Sequence, residues 1–276
     1  MNFVKESVNQ QPIVDTVFAI VDRAKKAKEQ FGDEAVVDAT IGSLYDESGS
    51  LVALDTVFSS LKSLDNGVLA KYAASFTGNP DFKKKVEEWV LDGNCSLEKE
   101  IIATPGGTGA VGMTVSECLE QGQTLIVPEI AWGSYNLMAQ MQGVEVEKYE
   151  LFEGDHFNLG SFKAACEKVM KKQDRLVIII NDPCHNPTGY SLSGTEWEAI
   201  VEFLNACSKT HSIVLLNDIA YIDYSYKGAD AKSYFSVFDS ISDNIVVIVA
   251  FSLSKSMTSY GLRCGAAIIM AQKREA

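Results

Sequence analysis

The stretch "FSLSKSMTSYGLRCGAAIIM", residues 251–270, places one lysine, Lys255, among small hydroxyl residues at the end of an apolar run, with Arg263 eight positions later. A lysine that loses water, or that lies near a second cation, gives up its proton more easily and becomes a nucleophile toward carbonyls. Arg263 stays charged and is shaped to grip a phosphate. Other residues fall at comparable places. "TPGGTGA", Thr104–Ala110, follows an apolar run and opens a helix-like stretch. Its glycines, Gly106 and Gly107, expose backbone N–H groups, and Thr108 adds a hydroxyl, an arrangement that suits an anion. Trp132 sits in "VPEIAWGSY", Asn181 and Asn186 in "NDPCHNPTG", and Asp218 and Tyr221 in "NDIAY". Each alone has an ordinary structural reading: a glycine turn, a core tryptophan, a proline-fixed turn, a helix-capping acid.

The elements that would position these residues are legible as an alternation. From about residue 100, short apolar runs (Ile101–Thr104, Thr124–Val127, Val144–Tyr149, Leu176–Ile180, Ile213–Leu216, Ile245–Phe251, Ala266–Met270) are separated by helix-like stretches (Gly109–Gln121, Tyr135–Met141, Leu159–Lys172, Thr195–Lys209). Ser193 and Glu196 have the spacing of a capping box ahead of the last of these. Val- and Ile-rich strands joined by helices predict an α/β fold, a mostly parallel seven-stranded sheet covered on both faces. Ligands of such sheets bind beyond the carboxyl ends of the strands, where the chemistry-bearing residues cluster. Residues 1–50 read differently: a helix over Asp15–Phe31, then a turn-rich stretch, together an arm and part of a smaller domain, with the large domain over 51–276. Helix-like Leu51–Leu64 and Asp81–Val90 follow the arm.

The totals narrow the classes. The chain has 276 residues and a net charge of −13, which argues against a nucleic-acid surface. No apolar run is long enough to span a bilayer and no signal-like apolar core opens the chain. Six cysteines are scattered singly and there are three histidines; this fits reduced thiols in a cytoplasmic protein and gives no metal-ligand spacing.

A phosphate loop, an aromatic plate, amide donors, an acid, a tyrosine, a lysine and an arginine at one sheet edge together match one cofactor, pyridoxal 5'-phosphate. It has a phosphate, a flat ring, a ring nitrogen that needs an acid, a phenolic oxygen that needs donors and an aldehyde that needs an amine. With "IGSLYDESGS", "KYAASFTGNPDF", "TPGGTGA", "CHNPTG", "NDIAY" and "SLSK…GLRCG" in this order, the chain resembles the class I, fold type I pyridoxal-phosphate aminotransferases. The aspartate and aromatic amino acid branch is the nearest. The resemblance implies that Lys255 bonds the cofactor and shuttles the substrate proton, and that Asp218 pairs with the ring nitrogen. It implies that Asn186 and Tyr221 donate to the phenolic oxygen, Trp132 stacks on the ring, and Gly106, Gly107, Thr108, Ser252, Ser254 and Arg263 hold the phosphate. Tyr72 would reach the phosphate of a second subunit, making a homodimer. Ile41 and Gly42 would close over the substrate beside Trp132 and Asn186.

The chain departs from the family pattern in three places. One extra residue lies between Tyr72 and Gly78, "SMTSYG" follows Lys255, and no remaining arginine (Arg23, Arg175, Arg274) matches the one that grips the substrate carboxylate. The expectation is therefore a C-terminally truncated aminotransferase for aspartate-type or aromatic amino acids and 2-oxo acids. A carbon–sulfur lyase or decarboxylase of the same fold, or an inactive cofactor-binding fragment, are the alternatives.

Overall fold

The computed structural model describes residues 16–40, 42–226 and 228–273. In chain order the helices and strands are α1 (Thr16–Phe31), α2 (Asp55–Lys62), α3 (Asn66–Ala70), α4 (Pro80–Val90), β1 (Glu98–Pro105), α5 (Gly106–Cys118), β2 (Thr124–Pro128), α6 (Ser134–Gln142), β3 (Glu145–Tyr149), β4 (Phe152–Glu153), β5 (His156–Phe157), α7 (Leu159–Met170), β6 (Arg175–Asn181), α8 (Gly194–Cys207), β7 (Ser212–Asp218), β8 (Ile245–Ser252), α9 (Leu253–Ser256) and β9 (Cys264–Ala271). A long 3-10 segment, Gly228–Ser240, lies between β7 and β8.

Seven strands form one sheet in the order β1-β9-β8-β7-β6-β2-β3. Strands β2, β3, β6, β7 and β8 pair in parallel, and β9 runs antiparallel to both of its neighbours, β1 and β8. The sheet is thus mostly parallel. The middle residues of the central strands, Leu176–Ile180 and Ile213–Leu216, are all apolar because both faces are covered. In β7, Ile213 and Leu215 face a core shared with α4, α7, α8 and the 3-10 segment, while Val214 and Leu216 face a second core shared with α5 and α6. This alternation buries successive residues on opposite sides.

Two local devices hold the helices around the site. The capping box of α8 is formed: the Ser193 hydroxyl accepts from the Glu196 N–H, and the Ser193 N–H donates to Glu196 Oε2 at 2.7 Å. Helix α6 ends at Gly143, whose φ of 66° is the left-handed conformation that glycine adopts at a helix end. The N-terminal third is less embedded; α2 and α3 bury no residue. Among the described residues no helix is long and apolar enough to cross a membrane. All six cysteines are free thiols.

Candidate active site

At the carboxyl edge of β6, β7 and β8 lies a cavity of about 500 Å³. Gly42, Gly107, Thr108, Trp132, Asn186, Asp218, Tyr221, Ser252, Ser254, Lys255 and Arg263 all line it. With Asn181, which also lines it, twelve residues singled out in the sequence, from positions as distant as 42 and 263, meet in one place.

The lysine is held by a change of backbone. Strand β8 stops at Ser252, whose side chain accepts from the Ser254 N–H and starts the single turn of α9. That turn lifts Lys255 into the cavity. Its Nζ donates to the Gly42 carbonyl at 2.5 Å and lies 5.5 Å from the Tyr221 ring centroid and 5.1 Å from that of Tyr260. Burial and then the positive charge of Arg263 hold the Lys255 pKa below the ordinary lysine value. The site therefore makes the ammonium proton easier to lose.

Arg263 is set by a strained residue geometry. A 3-10 turn, Tyr260–Leu262, ends with Arg263 in the left-handed region, φ 52°, which costs a non-glycine residue on the order of 1 kcal/mol. Its Nη1 donates to the Tyr260 carbonyl at 2.9 Å and approaches Ser254 Oγ at 3.4 Å, and Nη2 approaches Thr108 Oγ1 at 3.4 Å. The guanidinium thus faces the N-terminus of α5, a 13-residue helix whose first turn carries Gly106, Gly107 and Thr108. A Cβ on Gly106 would fall 2.8 Å from Arg263 Nη2, and one on Gly107 would fall 3.3 Å from the Ser252 Cβ. Two glycines, an arginine and three hydroxyls leave a cradle for a tetrahedral anion.

Asp218 ends β7 and is 5% exposed. Its Oδ2 accepts from the Tyr135 hydroxyl at 2.6 Å and its Oδ1 from the Ala220 N–H at 3.1 Å. Its own carbonyl accepts from the Asn181 side chain at 2.7 Å, and the other end of that amide, Asn181 Oδ1, accepts from the Asn186 N–H at 2.6 Å. The loop carrying Asn186 is thereby tied to the strand carrying Asp218. Burial raises the Asp218 pKa, and the two donors pull it back toward the charged form. Burial, then the Asp218 charge, raises the Tyr221 pKa, so its hydroxyl stays a donor. Trp132 packs edge-on against Tyr135, centroids 5.5 Å apart and planes at 86°.

Not every expected residue joins the cavity. Tyr72 does not line it and is 97% exposed. Gly106 stands just behind it, against Arg263. Ile41 lies outside the described residues. Tyr135, Tyr260, Thr40 and Ser43 line the cavity without having been expected there. Tyr135 carried a usable signal: a tyrosine on the buried side of a helix's first turn needs a partner for its hydroxyl.

Residues 35–276 match the family described as Aminotransferase class I and II, and the chain belongs to that family. Among solved structures, an aminotransferase from Anaerococcus prevotii is 34% identical with a TM-score of 0.92, covering 100% of this chain and 68% of its own. The aromatic-amino-acid aminotransferase of Burkholderia pseudomallei, solved covalently bound to pyridoxal phosphate, shares the fold at 22% identity and a TM-score of 0.76, covering 100% of this chain and 67% of its own. Among curated relatives, cytoplasmic isozyme 2 of aspartate aminotransferase from Arabidopsis thaliana is 24% identical over 98% of this chain and 66% of its own length. The mitochondrial aspartate aminotransferase of Dictyostelium discoideum is 24% identical over 86% of this chain and 55% of its own length. The chain spans less than two thirds of the length of these curated relatives.

Proposed function

We propose that the chain carries the cofactor-binding part of a pyridoxal-phosphate-dependent aminotransferase, which moves an amino group from an L-amino acid of aspartate or aromatic type to a 2-oxo acid such as 2-oxoglutarate. One observation carries the reading: Lys255, its pKa lowered, shares a cavity with a buried acid, Asp218, and with the glycine and arginine cradle. The residues fit the cofactor's parts. The cradle of Gly107, Thr108, Ser252, Ser254 and Arg263, backed by Gly106, matches its phosphate. Asp218 matches its ring nitrogen, Asn186 and Tyr221 its phenolic oxygen, and the Trp132 face its ring. Family membership and the Burkholderia pseudomallei relative solved with pyridoxal phosphate support the same assignment.

When bound, pyridoxal phosphate supplies an aldehyde that takes up an amine and a ring that draws electrons from the substrate Cα. The chain's residues do the rest. Lys255 would hold the group through Nζ until the substrate's own amine displaced it, and the freed Lys255 amine would then take the proton from the substrate Cα and deliver it to the cofactor carbon. Burial of Lys255 and the nearby guanidinium ease loss of the ammonium proton, which suits the amine to act as base. Asp218, whose carboxylate accepts from Tyr135 and Ala220, would face the ring nitrogen and favour a proton there. Arg263 and the first turn of α5 fix the far end, so the reacting atoms cannot drift. Gly42 brings the arm over Lys255 and, with Ile41, Trp132 and Asn186, belongs to the substrate side of this reading.

A cytoplasmic homodimer, with Tyr72 reaching the partner's phosphate, is part of the same proposal. It is supported by the exposure of Tyr72 and by a cytoplasmic isozyme among the relatives. So is a division near residue 50 between an arm with part of a small domain and the cofactor-binding domain.

The test is an assay of the chain with pyridoxal phosphate, L-aspartate or L-tyrosine, and 2-oxoglutarate. Glutamate formation supports transfer. Release of ammonia and pyruvate from an amino acid, with no glutamate, identifies a lyase on the same scaffold and overturns the proposal.

A further inference from the structure

We propose that Tyr135 is a positioning residue whose hydroxyl, bonded to Asp218, keeps that buried carboxylate ionised and aimed at its partner in the cavity. The importance of Asp218 to the cofactor rests on the function proposed above; the grip of Tyr135 on Asp218 stands on geometry alone. Tyr135 lies in the first turn of α6 and is wholly buried. Its hydroxyl meets Asp218 Oδ2 at 2.6 Å across 83 residues of sequence, the length of an O–H···O⁻ bond with one charged member. Burial raises the pKa of the Tyr135 phenol well above its ordinary value, and the neighbouring Asp218 charge raises it further. The hydroxyl is therefore a donor at every working pH. A fixed donor on one carboxylate oxygen stabilises the ionised acid and opposes the burial that would neutralise it.

The other charged and titratable neighbours do not do this job. Lys255 and Arg263 line the same cavity, but Lys255 is engaged by the Gly42 carbonyl and Arg263 by the Tyr260 carbonyl. Asp182, on the adjoining strand end, turns its carboxylate to the Leu192 N–H and the Trp197 indole. Tyr221 faces the cavity and Tyr149 stands near Tyr135, so neither supplies the bond that Tyr135 makes. On the side chain of Asp218 only the Ala220 N–H, at 3.1 Å, adds a second donor among the described residues. Tyr135 also packs edge-on against Trp132, so one side chain sets both the aromatic plate and the acid.

The experiment titrates Asp218 by carboxyl ¹³C NMR in the cofactor-free chain. Tyr135→Phe moves the Asp218 midpoint upward. Replacing Tyr135 by 3-fluorotyrosine, a stronger donor of nearly the same shape, moves it downward and keeps the question answerable should the Phe variant not fold. A midpoint that neither change moves overturns the proposal. A second readout is pyridoxal phosphate affinity: Tyr135→Phe weakens it by about tenfold in the Asp218 chain and by much less in the Asp218→Asn chain. Equal weakening in both backgrounds means that Tyr135 acts through packing, which also overturns it. If the midpoint moves while affinity does not change, the hold of Tyr135 on Asp218 stands and the cofactor role assigned to Asp218 is what fails.

Discussion

The Lys255 Nζ and the Gly42 carbonyl oxygen stand 2.5 Å apart, although 213 residues separate them. The segment carrying Gly42 thereby reaches the amine raised by the single turn after β8. The approach is close: a Cβ on residue 42 would lie 3.2 Å from both Lys255 Nζ and the Tyr221 hydroxyl, so those side-chain ends would have to give by a few tenths of an ångström. The same segment is pinned again nearby, where the Leu44 N–H donates to the Tyr260 hydroxyl at 3.1 Å.

Arg263 is expected to tune Lys255 as well as to hold an anion. Burial is the larger cause of the lowered lysine pKa and the arginine charge the second. Arg263→Gln removes the second, so the Lys255 pKa rises part of the way back and less free amine is present at neutral pH. Capture of pyridoxal, which has no phosphate for Arg263 to bind, should then slow at fixed pH, with its pH midpoint moved upward. An unmoved or lowered midpoint would show that the arginine charge does not reach the amine.

Gly265 is expected to be a packing requirement of the cradle. A Cβ there would lie 2.5 Å from the Phe251 carbonyl oxygen and 2.6 Å from the Gly106 carbonyl carbon. Both are backbone atoms and cannot rotate away. Gly265→Ala should cost about 1–3 kcal/mol and lower the melting temperature, with weaker binding of inorganic phosphate. A variant with wild-type melting and phosphate affinity would mean that β9 does not press on the first turn of α5.

The cap of α8 should be sensitive to acid. Partial burial raises the Glu196 pKa, but the Tyr190 hydroxyl, the Ser193 N–H and hydroxyl, and the Phe157 N–H outweigh it and bring the group to about 2. A carboxylate depressed on folding contributes stability above its unfolded pKa of about 4.3, and that contribution is lost as pH falls toward the folded value. Glu196→Gln should therefore cost about 1 kcal/mol near neutral pH. The gap between the two chains in urea unfolding should narrow as pH falls from about 5 toward 3. A gap that stays constant over that range would contradict the account.

The strands were legible because they are buried on both faces. Leu176–Ile180 and Ile213–Leu216 are unbroken apolar runs, and the observed strands, Arg175–Asn181 and Ser212–Asp218, extend each by no more than two residues at either end. The direction of β9 was not legible, since composition does not encode whether a strand runs with or against its neighbour. Helix α3 was missed because five residues that include a glycine and bury nothing leave no periodic pattern. The β4–β5 hairpin has two residues per strand, too few for alternation to register. In the 3-10 segment, Phe235 and Phe238 are both fully buried and three apart, a period-3 signal that was there to be read. The residues after strand ends that share the cavity were singled out from that placement. Tyr135 was expected to open a helix, as it nearly does, but its reach to Asp218 depends on how α6 crosses the sheet, which the local sequence does not encode.

The central claim is that Lys255 is the amine that bonds pyridoxal phosphate. Incubating the chain with pyridoxal phosphate, reducing with borohydride and mapping the modified peptide by mass spectrometry tests it directly. One stable adduct on Lys255, absent from the Lys255→Ala chain, is the predicted result. An adduct of equal yield on the Lys255→Ala chain, or one confined to other lysines, would contradict the assignment of the site.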